Sequence, residues 1–165
     1  MSGRRASQDA RRAREFEAYV AGAAGRLLHA ATLLTAEVPG RAPRATALLT
    51  GALAATMAAW DRLRGEDPYD HTRRQLTQRY TRGAWRDLLP APRGADGAGR
   101  GVLFRLGPRQ RLILVLRLYE GVAEEQTAAL VGLAPERVRA LYERALTTVL
   151  DPPAAAPGLA KVVPS

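Results

Sequence analysis

The sequence predicts an all-α protein of two small helical domains joined by a flexible linker. Three observations carry that expectation. Apolar residues recur at three- and four-residue steps through successive stretches, prolines and glycines cluster at the breaks, and no stretch alternates apolar with polar residues as a half-buried strand would. A chain of 165 residues, 47% of them hydrophobic and much of that alanine and leucine, is long enough for one ordinary domain or two small helical ones.

Taken in order, residues 1 to 12 are polar and arginine-rich and are expected to fray. From Ala13 to Thr35, Phe16, Val20, Ala23, Leu27, Ala31 and Leu34 mark one face of a first helix. "AEVPGRAP", Ala36 to Pro43, breaks it. A second helix is expected from Arg44 to about Leu63, with Leu49, Leu53, Met57 and Trp60 as its stripe. Gly51 inside it costs about 1 kcal/mol against alanine, so that helix needs tertiary support. Asp67 then offers an N-cap and Pro68 a first helical residue, since proline lacks the N–H that this position leaves unpaired. The third helix runs to about Trp85 with a thin apolar face, Leu76, Tyr80 and Ala84, among Arg73, Arg74, Gln78, Arg79, Arg82 and Arg86.

"LLPAPRGADGAGRG", Leu88 to Gly101, keeps no periodicity and is expected to be a linker. The predicted organisation is a helical domain over 13–87, a linker over 88–104, a second helical domain over 105–150 and a disordered tail over 151–165. In the second domain Pro108 opens a helix whose Leu112, Val115, Leu116 and Tyr119 point one way, and Gly121 ends it. Glu124 to Val131 forms a two-turn helix, Gly132 a sharp turn, and Pro135 the start of a last helix. Val138, Leu141, Tyr142, Ala145 and Val149 fall on one side of that helix; Glu136, Arg137, Arg139, Ala140, Glu143 and Arg144 fall on the other. Two helices about a short glycine turn, the second with a polar face, match the helix-turn-helix pattern. They equally match an α-hairpin with a solvated charged face.

Charge favours the first of these. The net charge is +9 and the pI about 11.1. Of 25 basic residues only Lys161 is lysine. An Arg-rich composition accords with a high-GC genome, but the excess of base over acid points to a polyanion, nucleic acid before a membrane surface. Arginine donates two parallel hydrogen bonds to phosphate and is the commonest reader of guanine edges. The chain has no cysteine, and its two histidines, His29 and His71, lack metal-ligand spacing. No acid–nucleophile pair, phosphate loop or metal cluster suggests an enzyme, and no cofactor is expected. No apolar run approaches the ~20 residues of a membrane span. The charged N-terminus has no apolar stretch after it, so it does not read as a secretory signal; the expected setting is cytoplasmic.

"LGPRQRLILVLRLYEGVAEEQTAALVGLAPERVRALYERAL" resembles the C-terminal DNA-binding domain of the extracytoplasmic-function sigma factors of bacterial RNA polymerase. Leu106, Pro108, Arg109, Gln110, Arg111, Tyr119, Glu120, Ala128, Leu130, Gly132, Val138, Arg144, Ala145 and Leu146 match the family pattern. "FEAYV", "AATLLT", "AAWDRL" and "DPYDHTRRQLTQRYTRGAWR" resemble the family's promoter-opening domain, as it occurs in small actinobacterial members. The likeness spans roughly residues 14 to 150. It implies a sigma factor that brings core RNA polymerase to double-stranded promoter DNA, with an anti-sigma factor as a further partner. Carried over by position, Arg137, Arg139, Ala140 and Arg144 would face the −35 element. Arg73, Arg74, Gln78, Arg79 and Trp85 would face the −10 element, although Trp85 fits simple packing equally well.

The sequence departs from the family where polymerase is gripped. The second helix is usually acidic there. Here no Asp or Glu occurs between Glu37 and Asp61, and Thr46, Ala47, Thr50 and Gly51 take those places, with Trp60 and Asp61 closing the degenerate surface. Each missing charge-assisted contact corresponds to ~1.5–3 kcal/mol. Gln78 replaces the usual asparagine and His71 an aromatic. Ala134 cannot N-cap the last helix as serine would. Two readings follow: a divergent sigma factor, or a sigma-like DNA-binding regulator with weakened polymerase attachment.

Overall fold

The computed structural model describes residues 2–63, 65–83 and 102–151. Among them are six α-helices and no strand beyond an isolated Val38–Arg41 bridge. The helices are α1 (Ser2–Thr35), α2 (Pro43–Ala59), α3 (Pro68–Gly83), α4 (Pro108–Leu114), α5 (Glu124–Val131) and α6 (Pro135–Leu150). A 3-10 turn, Trp60–Arg62, follows α2, another, Val102–Arg105, precedes α4, and a π-helical segment, Val115–Tyr119, continues α4. Trp85, Ala84 and the expected linker up to residue 101 lie outside the described residues, as do residues 152–165 of the expected tail.

Several local signals act as the sequence suggests. Asp67 Oδ1 accepts the Tyr69 N–H at 2.8 Å, so the N-cap of α3 is made by its side chain. Gly121 and Gly132 take positive φ, 68° and 70°, where a side chain would be strained. Pro68, Pro108 and Pro135 each open a helix. Glu37 supplies a cap that the sequence did not reveal. Its carboxylate accepts the Arg44 and Ala45 N–H groups at 3.1 and 2.8 Å, placing negative charge at the N-terminus of α2.

Two expectations need correction. Residues 2–12 are helical rather than frayed, and α1 runs unbroken from Ser2. That stretch has no apolar period, but alanine, arginine and glutamine favour helix intrinsically. An Arg11–Glu15 pair at 2.7 Å supports it at four-residue spacing, and Arg12 anchors it to the Met57 carbonyl at 2.6 Å. The buried line of α2 is Ala45, Leu49, Ala52 and Thr56, whereas Leu53, Met57 and Trp60 are only half-buried. Ala45 and Ala52 are fully buried in the core that α2 shares with α1.

The principal core joins both halves of the chain. Leu27, Ala31 and Leu34 of α1, Ala45 and Leu49 of α2, and Leu76 and Tyr80 of α3 pack with Leu112, Val115, Leu116 and Val122. Two smaller clusters, Leu106–Leu114–Ala145 and Ile113–Ala128–Val138, hold α6 and α5 against α4. The thin apolar face of α3 is completed by buried threonines. Thr72 Oγ1 bonds Tyr19 Oη at 2.6 Å and Thr56 Oγ1 at 2.8 Å. Thr77 is different: it is 1% exposed and its hydroxyl has no hydrogen-bond partner. Because a buried unpaired hydroxyl costs about 1–3 kcal/mol, Thr77→Val is expected to raise stability by about 1 kcal/mol, read as a higher melting temperature. A lower melting temperature would show that the hydroxyl is satisfied in solution.

Candidate nucleic-acid interface

The C-terminal site is built on the α5–turn–α6 unit. Gly132 closes α5 in the left-handed conformation, and the Gly132 and Leu133 N–H groups both donate to the Ala128 carbonyl, at 2.9 and 3.1 Å. Val138 and Ala145 are fully buried, and Tyr142 lies under the Arg117 guanidinium at 5.6 Å, which fixes the inner face of α6. Ala134 takes the N-cap position without a side-chain hydrogen bond.

The outer face divides the expected reading residues. At about 100° per residue, Arg137, Ala140 and Arg144 fall on one flank, three and seven residues apart. Arg137 and Arg144 are exposed, and Ala140 and Arg144 line an open groove together with Arg105, Gln110 and Thr148. Arg139 stands on the opposite flank. It grips Glu124, at the start of α5, through two bonds of 2.7 and 3.2 Å. The hydrogen bond from Arg139 holds the Glu124 carboxyl below its ordinary pKa and raises that of Arg139 in return. Arg105 was missed from sequence, where it is a single arginine between Phe104 and Leu106; its place beside α6 follows the 3-10 turn Val102–Arg105.

On α3 the expected −10 residues separate in the same way. Arg74, Gln78 and Arg82, at four-residue steps, share one strip. Gln78 and Arg82 are exposed, and Arg74 pairs with Glu66. Arg79 lies across α2, where a Cβ on Gly51 would come within 3.1 Å of its Nη1, so that glycine makes room for the guanidinium. Arg73 turns toward the C-terminal half; its side chain is 18% exposed and pairs with Asp70 at 2.8 Å. Burial keeps the His71 pKa below the ordinary histidine value, and its Nδ1 stands 3.7 Å from Glu66.

On the α2 side the surface offers little to a cationic partner. Thr46 and Thr50 are exposed, but their hydroxyls turn back to the Ala42 and Thr46 carbonyls at 2.9 and 2.8 Å. Ala47 is exposed and apolar. Trp60 stacks edge-on against Phe16 at 5.2 Å, and Asp61 is paired with Arg12 at 3.1 Å. Glu37, the nearest other carboxylate in sequence, is engaged at the start of α2.

Among the described residues no group of His, Cys, Asp and Glu side chains could hold a metal ion. No described helix is long and apolar enough to cross a membrane. No curated protein and no solved structure matches the chain significantly. Residues 102–149 do match the family model for sigma-70 region 4, and these are the residues of the α4–α5–turn–α6 unit. Over that segment the chain is similar to a DNA-binding regulatory domain rather than to a catalytic one, and the similarity supports a place in the sigma-70 superfamily.

Proposed function

We infer that this chain is a sigma factor of the extracytoplasmic-function type, directing RNA polymerase to particular promoters. The observation that carries the reading is the region 4 match falling on a helix-turn-helix whose outer flank presents Arg137 and Arg144. In this reading α6 enters the major groove at the −35 element, with early residues of the helix against base edges. The α3 strip of Arg74, Gln78 and Arg82 meets the −10 element. The 13–87 and 105–150 segments act as two modules, and polymerase supplies all catalysis. In-vitro transcription with purified core polymerase tests the reading directly; no promoter-dependent transcript at any tested promoter would overturn it.

A second reading has a specific observation behind it. Thr46 and Thr50 are bonded to their own helix backbone, and no carboxylate replaces the acidic grip expected on α2. A sigma-like DNA-binding regulator with weakened polymerase attachment fits that surface. A pull-down with core polymerase at moderate salt separates the two, since retained binding excludes the regulator.

Arg139 offers a residue-level check. To touch a base it must exchange Glu124 for guanine, and Arg139→Ala is expected to weaken promoter binding roughly tenfold and to relax preference at one base pair. Weaker binding with unchanged preference would reduce Arg139 to a phosphate contact.

A further inference from the structure

Glu120 is a carboxylate in an unusual place. Its side chain is 2% exposed, and it comes from the C-terminal half to sit among donors that all belong to the N-terminal half. Tyr69 Oη donates to Glu120 Oε1 at 3.0 Å. Arg26 Nε stands 3.5 Å from the same oxygen, and Arg73 Nη1 stands 3.6 Å from Oε2. Arg26 is further held 5.7 Å from the centres of both the Tyr69 and Tyr119 rings.

The fit is loose. Both arginine distances exceed those of good charge-assisted hydrogen bonds, which run about 2.7–2.9 Å. Glu120 Oε2 and Arg73 Nε are each buried without a hydrogen-bond partner. A planar group with two oxygens therefore leaves part of the donor set unused. Burial, and after it the neighbouring Glu120 carboxylate, push the Tyr69 pKa well up, so its O–H remains a donor. Asp70 offsets Arg73 at 2.8 Å, but Arg26 leaves the pocket one positive charge in excess once Glu120 is removed. Arg73 belongs to α3, one residue before Arg74 and about 100° around the helix from it.

We propose that Arg26, Tyr69 and Arg73 form a socket for a nucleic-acid phosphodiester, which Glu120 fills while the two halves are packed together. A phosphodiester carries the same single charge as the carboxylate but has four oxygens, and arginine forks suit it. The C-terminal half and the nucleic-acid backbone then compete for one set of donors. Neither Arg26 nor Tyr69 has an expected place in promoter contact. This inference rests on the nucleic-acid reading of α3.

The test measures binding of a fluorescently labelled ten-nucleotide single-stranded DNA by anisotropy, with the full chain at fixed ionic strength. Removing the internal competitor raises the fraction of chains able to bind, so Glu120→Gln is expected to tighten binding at least about fivefold. Adding Arg26→Ala to that variant is expected to abolish the gain. Unchanged affinity in Glu120→Gln, with melting showing a folded chain, overturns the proposal. Should Glu120→Gln fail to fold, Arg26→Ala alone decides: the expected result is weaker binding and a log–log salt slope shallower by about one. An unaltered affinity and slope overturn the socket. Salt-sensitive binding of duplex DNA that persists through these failures defeats the socket alone; no salt-sensitive binding of any DNA defeats the promoter reading as well.

Discussion

Replacing Arg111 with methionine is expected to lower stability by about 4 kcal/mol, a large part of the ~5–15 kcal/mol that holds a typical domain together. Arg111 is 5% exposed. Its three nitrogens donate to three backbone carbonyls: Nε to Leu103 at 3.0 Å, Nη1 to Leu34 at 2.9 Å and Nη2 to Leu106 at 3.0 Å. Leu34 lies in the last turn of α1, where carbonyls have no partner within the helix and where a cation is favoured by the helix dipole. One side chain thus satisfies the end of α1 and ties it to the turn before α4. Methionine keeps much of the stem but takes the donor from the buried Leu34 and Leu106 bonds, while the Leu103 carbonyl keeps the Leu106 N–H at 3.1 Å. The melting temperature is expected to fall by about 10 °C or more, and urea unfolding to shift in parallel. Lysine, a point donor on a flexible stem, should recover only part of the loss because it cannot span three acceptors at once. A methionine variant that melts within about 2 °C of the parent would show that these carbonyls are satisfied in another way.

The second large effect concerns DNA. Affinity for a duplex promoter fragment is expected to fall about 100-fold to 1,000-fold between about 50 and 200 mM salt, the loss that four to six phosphate contacts produce through counterion release. The exposed arginines account for that number. Arg137 and Arg144 flank α6, Arg105 lines its groove, Arg109 is exposed at the start of α4, and Arg79 and Arg82 lie on the N-terminal half. Arg26, Arg73, Arg111 and Arg12 are engaged by the protein itself and should add little to the slope unless the halves part. An equilibrium titration at several salt concentrations measures it. A response below about threefold over that range would remove the nucleic-acid reading, since an uncharged mode of binding would then dominate.

Much of the architecture was legible because it is written in local chemistry. Prolines 68, 108 and 135 mark helix starts, Asp67 caps, and Gly121 and Gly132 stop helices by conformations that other residues resist. The apolar face Leu112–Val115–Leu116 was equally plain. Its partner was not: a periodic face says that something is covered, not by what, and here the cover is the helical core of the other half. The same limit applies to the site. Sequence identified arginines on α3 and α6 but gave no sign that Arg73 meets a carboxylate at position 120 or that Arg139 meets one at 124, because these pairings depend on tertiary placement. The α2 stripe was misjudged for a related reason. Side-chain size suggests Leu53 and Met57 as core, whereas the fully buried positions are Ala45, Ala52 and Thr56.

The π-helical segment Val115–Tyr119 has a consequence for how residues 102–149 align with the region 4 pattern they resemble. Its closing bond runs from the Glu120 N–H to the Val115 carbonyl at 2.9 Å, one residue wider than an α turn. The helical phase set by Leu112 is therefore delayed by one place before Glu120 is reached. Deleting a single residue from this segment would restore the ordinary turn and rotate everything after it by about 100°, Glu120 included. Such a segment amounts to a one-residue insertion carried inside a helix, so motif positions counted on its two sides belong to different helical frames.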